Sequence, residues 1–151
     1  MTERFLAPTP FQPSHPPVLA IYCSDGRFTR PVEELVRQLG HDRLDTLTMP
    51  GGPALLNLHS ALYSNVDAMT RAASFLILGH AIAEVVLLAH EGCGYYRERH
   101  PNLTPDEVAR RQIDDLRAGA GALRKAHPEL RIALYHARVH QGRVVFHRVS
   151  R

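Results

Sequence analysis

The chain has no tryptophan, only two cysteines and, in 151 residues, a single lysine, Lys125. Two cysteines are too few for a disulfide-rich framework, and they fit a reducing compartment. No apolar run approaches the roughly 20 residues of a membrane span, and no apolar stretch of signal-peptide length stands near Met1. No internal repeat and no nucleic-acid motif is present. The positive balance, 18 Lys and Arg against 15 Asp and Glu, is therefore almost all arginine. Those arginines are interleaved with acids, so the net charge of +3 reads as a solvated surface and not as a DNA-binding face. These absences predict a cytoplasmic chain with neither a membrane nor a nucleic acid as partner. With 44% hydrophobic residues the length suffices for one domain with a real core and is too short for two. Met1 to Pro17 carries five prolines, which cannot continue a helix. Residues 1–17 are thus expected to form a proline-rich extension, and residues 18–151 a single domain.

Against this background two apolar runs stand out. Val18-Leu19-Ala20-Ile21-Tyr22 and Val85-Val86-Leu87-Leu88-Ala89 are continuous, with β-branched and aromatic members, as strands buried on both faces are. Each run stops at a chemically active string: Cys23-Ser-Asp25-Gly-Arg27 after the first, His90-Glu-Gly-Cys93 after the second. Open α/β sheets place their sites beyond the carboxyl ends of the strands, so Cys23, His90 and Cys93 can meet there although they are far apart in sequence. Two thiolates and one imidazole suit borderline-soft zinc. Three protein ligands are the number found where a fourth tetrahedral position is kept for water or substrate, whereas structural sites close all four. The competing reading is that the two cysteines are free core thiols or form one disulfide.

The remaining pattern supports an α/β unit. Thr29 can cap a helix reaching Leu39, with Pro31 in its first turn and Gly40 as a stop. Leu44 to Met49 suits a short strand. A helix over about Asn65 to Leu78 would present Met69, Ala72, Ala73 and Leu76 on one face and end at Gly79. Thr104-Pro105-Asp106-Glu107 is a capping box, and Ile113, Leu116, Ala120 and Leu123 continue its apolar stripe. Arg131 to His136 reads as a fourth parallel strand, and Gln141-Gly142 turns the chain into Val144-Val145-Phe146 as an edge partner. The expected fold is three-layered: a mostly parallel central sheet of four strands plus an antiparallel edge strand, with helices on both faces. Of the ten histidines only His90 is singled out by spacing; His136, His140 and His147 suit alternate positions on the last strands, and most are expected at the surface or at strand ends. Tyr95 and Tyr96 could line a pocket or pack at a helix start, and packing is the expected role.

In its two strings the chain resembles the β-class carbonic anhydrases, whose zinc motifs are an early C-x-D-x-R and a later H-x-x-C usually followed by glycine. Here they are Cys23-Asp25-Arg27 and His90-Cys93, with Gly94 following, and the resemblance spans Val18 to Val149. It implies Zn2+ held by Cys23, His90 and Cys93, an Asp–Arg dyad of Asp25 and Arg27 beside it, and a homodimer or higher homo-oligomer. It makes residues 18–151 one zinc domain that hydrates carbon dioxide reversibly to bicarbonate, since zinc lowers the pKa of a bound water to about 7 and so supplies a hydroxide as nucleophile. Asp25 could accept a hydrogen bond from that hydroxide or coordinate the metal itself as a fourth ligand; the two roles exclude each other. Arg27, permanently charged and forked, can hold the carboxylate bidentately and keep it off the metal. The plain alternative for the dyad is a surface pair worth about 0–1 kcal/mol. Three departures from the family pattern matter. Thr48-Met49-Pro50-Gly51-Gly52-Pro53 keeps a glycine turn but lacks the family's polar residues, Glu91 stands where a small hydroxyl residue is usual, and the N-terminal helical arm is missing. They keep two alternatives open: a zinc hydrolase of carbonyl sulfide or carbon disulfide, and a non-catalytic homologue closed by Asp25.

Overall fold

The computed structural model describes residues 3–151; the first two residues of the expected 1–17 extension lie outside the described residues. Five strands form one sheet: β1 (Val18–Tyr22), β2 (Asp45–Thr48), β3 (Glu84–His90), β4 (Arg131–His140) and β5 (Arg143–Arg148), in spatial order β2-β1-β3-β4-β5. β1 is parallel to β2 and β3, β3 is parallel to β4, and β5 closes the edge antiparallel to β4. The expected three-layer sheet of four parallel strands and one antiparallel edge strand is what the chain forms.

The two apolar runs take the centre because they have no polar face to show to water. All five residues of β1 are buried, as are Val85 to His90 of β3. Each aliphatic side chain so buried contributes about 1.5–3 kcal/mol. One face of the sheet, with Ala20, Tyr22, Val86 and Leu88, is covered by α1 (Thr29–Gln38) through Val32 and Val36. The other, with Leu19, Ile21, Val85 and Leu87, is covered by α2 (Tyr63–Gly79) and α4 (Pro105–Ala126). Chain order then fixes the position of the site. From β1 the chain crosses to β2 on one side and later to β3 on the other, which leaves a crevice beyond the carboxyl ends of β1 and β3.

Local signals account for most boundaries. The Thr104 box forms as expected: its hydroxyl accepts the Glu107 N–H, while the Glu107 carboxylate accepts the Thr104 N–H. The tip between β4 and β5 is Gln141-Gly142, both at positive φ (49° and 73°), as a two-residue hairpin requires. Other expectations need correction. Thr29 is the first residue of α1 and not its cap; Phe28 holds the cap position and makes no side-chain cap bond. α2 begins at Tyr63, two residues before the expected start, and β4 runs on to His140 because β5 pairs with its overhang. A short 3-10 helix, Gly52–Leu56, was not anticipated as an element, and the helix start offered for Tyr95 and Tyr96 is a short α3, Gly94–Arg99.

Residues 3–17 contain no helix. Their last part is nevertheless fastened: the Arg43 guanidinium donates to Ser14 O and Oγ, His15 stacks on His80 at 3.8 Å, and Pro17 O accepts the N–H groups of Ala83 and Glu84. Among the described residues no helix is long and apolar enough to cross a membrane.

Candidate metal centre

Beyond β1 the chain delivers Cys23, while β3 ends on His90 and leads, after a turn at Gly92 (φ 67°), to Cys93 at the N-cap of α3. The two Sγ atoms and an imidazole nitrogen of His90 all lie within 4.8 Å of one another, and all three residues are buried. Cys23 and Cys93 are free thiols with sulfurs 3.9 Å apart, not a disulfide. The alternative of unrelated core thiols does not account for an imidazole nitrogen within 4.8 Å of both.

The imidazole is oriented from several sides. Its Nδ1 donates to the Glu91 carbonyl at 2.7 Å, which leaves Nε2 as the lone-pair nitrogen. Nε2 is buried and has no hydrogen-bond partner. Leaving such an acceptor unpaired costs about 1–3 kcal/mol, and a cation between it and the two sulfurs would remove that cost. The Phe28 ring lies against the imidazole, centroids 4.1 Å apart. Residues holding the sulfurs in place favour charge on one of them. The Cys93 thiol, then the neighbouring His90 imidazole and the main chain of Gly51 and Asp25, hold the Cys23 pKa low against its burial, while the bond to Cys23 and burial hold Cys93 high. A bound dication would ionise both thiols. This donor set, soft and partly pre-ionised with one orphaned nitrogen, fits zinc.

Asp25 and Arg27 form a forked pair beside the triad: Arg27 Nη2 donates to Oδ2 at 2.6 Å, Nε to Oδ1 at 3.0 Å, and the Arg27 main-chain N–H to Oδ1 at 3.0 Å. These donors hold the Asp25 carboxyl down at about 2. Arg27 is 72% exposed and Asp25 21%, so the pair contributes little to stability, and its geometry is what distinguishes it. Glu91, which stands where a small hydroxyl residue is usual in the family it resembles, follows His90 directly. Its carboxylate accepts the Val139 N–H and ties the His90 loop to β4.

The turn that lacks the family's polar residues has a backbone function here. Gly52 sits at φ 48°, and a Cβ there would come within 2.6 Å of Tyr22 C and 2.7 Å of Cys23 N. The glycine lets the turn press directly on the backbone that carries Cys23. Gly52→Ala is expected to cost about 3 kcal/mol in urea unfolding, because rigid main chain has to move.

Sequence reasoning missed a second set of residues. Gln112 and His136 are 1% and 2% exposed, and His136 corrects the expectation of a surface or strand-end histidine. The Gln112 amide donates to the His90 main-chain oxygen at 2.7 Å, and its Oε1 lies 2.7 Å from His136 Nε2. Burial and the Arg138 charge push His136 down to about 4, so its imidazole is neutral at ordinary pH. Tyr95 and Tyr96 pack as expected: their hydroxyls donate to Ser60 O and to the buried Asp115 carboxylate, which also accepts from Asn57 and Ser60. A cavity of about 430 Å3 lies against this side of the centre, with Cys93, Gln112, His136 and Arg97 among its walls.

The comparisons with known proteins agree with this geometry. The family described as "Putative carbonic anhydrase" matches residues 14–145. No curated protein matches the chain. Among solved structures it is similar to the β-carbonic anhydrase CafA of Aspergillus fumigatus, at 17% identity and TM-score 0.60 over 91% of this chain and 78% of that one. It is equally similar to a carbonic anhydrase of Streptococcus mutans, at 17% identity and TM-score 0.60 over 94% and 87%. A tetrameric β-carbonic anhydrase of Sordaria macrospora matches at 15% identity and TM-score 0.59 over 88% and 81%. These identities speak for the β-carbonic-anhydrase fold alone, but the family match runs from Ser14 into β5 and takes in both active strings, and on that ground the chain belongs to the family described as "Putative carbonic anhydrase".

Proposed function

We propose that this chain hydrates carbon dioxide reversibly to bicarbonate with Zn2+ held by Cys23, His90 and Cys93. The observation that carries the reading is the buried, unpartnered His90 Nε2 set among the two sulfurs. When bound, zinc supplies Lewis acidity that brings the pKa of water to about 7. The rest falls to the chain's own residues. Asp25, kept ionised by Arg27, presents only acceptors, so it can take a hydrogen bond from the attacking water and fix its orientation. Arg27 holds that carboxylate by its fork and so keeps it from becoming a fourth ligand. Phe28 packs on the imidazole and excludes water from that side. The 430 Å3 cavity that reaches Cys93 gives a small neutral molecule room beside that residue.

A second reading keeps the metal and changes the electrophile to carbonyl sulfide or carbon disulfide; it is favoured by the wholly buried apolar Gly52–Leu56 segment next to Cys23. Residues 18–151 act as a single zinc domain, and residues 1–17 as an extension to it. A homodimer or higher homo-oligomer is the proposed assembly, in keeping with the tetramer named for the Sordaria relative. Two free thiols committed to a metal suit a reducing cytoplasm.

Stopped-flow measurement of carbon dioxide hydration on protein of verified zinc content, between about pH 7 and 9, tests the reading. A rate well above buffer that rises with pH is expected. A buffer-level rate at full zinc content overturns it; turnover of carbonyl sulfide by the same protein would then favour the second reading, and no turnover at all would favour a site closed by Asp25.

A further inference from the structure

His90 is held by its ring and also by its main chain. The carbonyl of this last residue of β3 is taken by a side chain from α4, Gln112, at 2.7 Å. A carbonyl can only accept, so the amide nitrogen must face it, and Oε1 is thereby turned towards His136. Oε1 in turn can only accept, so His136 carries its proton on Nε2. The direction of every bond in the chain His136, Gln112, His90 is thus fixed by its one unambiguous member.

Such a chain needs a reason to exist. An amide and an imidazole, both buried, face the penalty of leaving water, and their mutual bonds offset it only when all are made. Leu116 and Ala120 on the same face of α4 show that apolar residues fill this interface well. What Gln112 and His136 provide that aliphatic residues could not is a fixed position for the backbone of His90. That backbone stands where the chain leaves the sheet, three residues before Cys93.

We propose that Gln112 and His136 are positioning residues: a buried two-member clamp that sets where His90 stands relative to Cys23 and Cys93. The inference rests on the ligand set proposed above. His136 acts on Gln112, Gln112 acts on the His90 carbonyl, and neither needs to touch the metal. Groups beyond the ligands that orient them are worth about 10–100-fold in metal affinity.

The test is zinc affinity by chelator competition, together with the visible spectrum of the cobalt-substituted protein, in Gln112→Met, His136→Phe and His136→Gln. Gln112→Met keeps the length and loses both bonds; zinc binding is expected to weaken about 10–100-fold and the cobalt bands to shift. His136→Phe should fall between that variant and the parent, and His136→Gln, which restores an N–H donor, should recover most of the loss. The thermal midpoint of the metal-free protein separates the clamp from a plain packing role, which would lower the midpoint and leave affinity unchanged. If Gln112→Met does not fold, His136→Phe, which leaves the amide in place, decides the matter. Folded variants that bind zinc within about threefold of the parent, with the parent's cobalt spectrum, overturn the clamp. A parent that binds no zinc would instead overturn the ligand set, and the two failures are told apart by that first measurement.

Discussion

Cys93→Ser protein, prepared in parallel with the parent, is expected to bind zinc more weakly by well over a hundredfold and to lose its hydration activity with the metal. The size of the effect follows from chemistry at one atom. A thiolate is the ligand form of cysteine and becomes accessible under a dication even where burial opposes it, as it does at Cys93. A serine hydroxyl does not ionise under those conditions and is a poorer match for a borderline-soft metal. Two donors then remain, Cys23 just beyond β1 and His90 at the end of β3, and the pair cannot hold the metal against competing chelators. The expected loss also appears as stability. Metal that binds only the folded chain adds about 2.7 kcal/mol at a hundredfold excess over the dissociation constant, so added zinc should raise the parent's unfolding midpoint and leave that of the variant unchanged. Zinc content by elemental analysis after gel filtration and unfolding curves with and without chelator check both parts. Normal zinc content in Cys93→Ser would show that the ligand set is wrong.

How far this centre was legible in the sequence depended on which interactions are local. Both apolar runs announced themselves because a strand buried on two faces has no polar residue to confuse the pattern, and the active strings follow directly on them. Once the strands were parallel and adjacent, Cys23 and His90 had to meet. The dyad was equally readable, since Asp25 and Arg27 are two residues apart and bond within one turn. What escaped was whatever depends on distant elements. Phe28 reads as an ordinary helix-start residue, and only the fold lays it on His90. Gln112 lies 22 residues from His90 and in sequence looks like one more polar residue of an amphipathic helix. Its one signal was position: it falls four residues before Leu116, in line with the buried stripe, where a polar side chain has to find a partner. Asp115 carried a similar signal, one residue before Leu116, and likewise proves buried and bonded. His136 was misjudged because it was read as the last residue of its strand, whereas β4 runs on to His140 and Ile132 to Ala137 are all buried. The turn at Gly51-Gly52 was judged by its lost polarity, but its constraint is steric and becomes visible only when the backbone of Cys23 is seen beneath it.

Asp25→Asn should separate holding the metal from using it. The variant is isosteric and leaves the three clustered donors untouched, so zinc content is expected to stay at the parent's level. Activity is expected to fall by about a hundredfold or more, the range associated with losing one positioned acid–base group. The carboxylate offers two acceptor oxygens that Arg27 keeps ionised, whereas the amide replaces one of them by a donor and weakens the fork that orients it. Arg27→Leu provides the complementary half of the argument. It leaves the carboxylate and removes the fork that keeps it in place, so Asp25 is free to swing onto the metal as a fourth ligand. Zinc should then be held as tightly as in the parent or more tightly, while hydration is lost. Parent-level affinity in Asp25→Asn and tighter binding or a shifted cobalt spectrum in Arg27→Leu, with activity lost in both, would mean that the dyad controls access to the metal's open position. Full activity in Asp25→Asn would remove Asp25 from the chemistry and reduce the pair to an exposed salt bridge of about 0–1 kcal/mol. Loss of activity in Arg27→Leu with unchanged metal affinity and an unchanged cobalt spectrum would instead locate the arginine's effect in the approach of substrate. The two substitutions therefore test different things: one asks what the carboxylate does, the other asks what prevents it from doing something else.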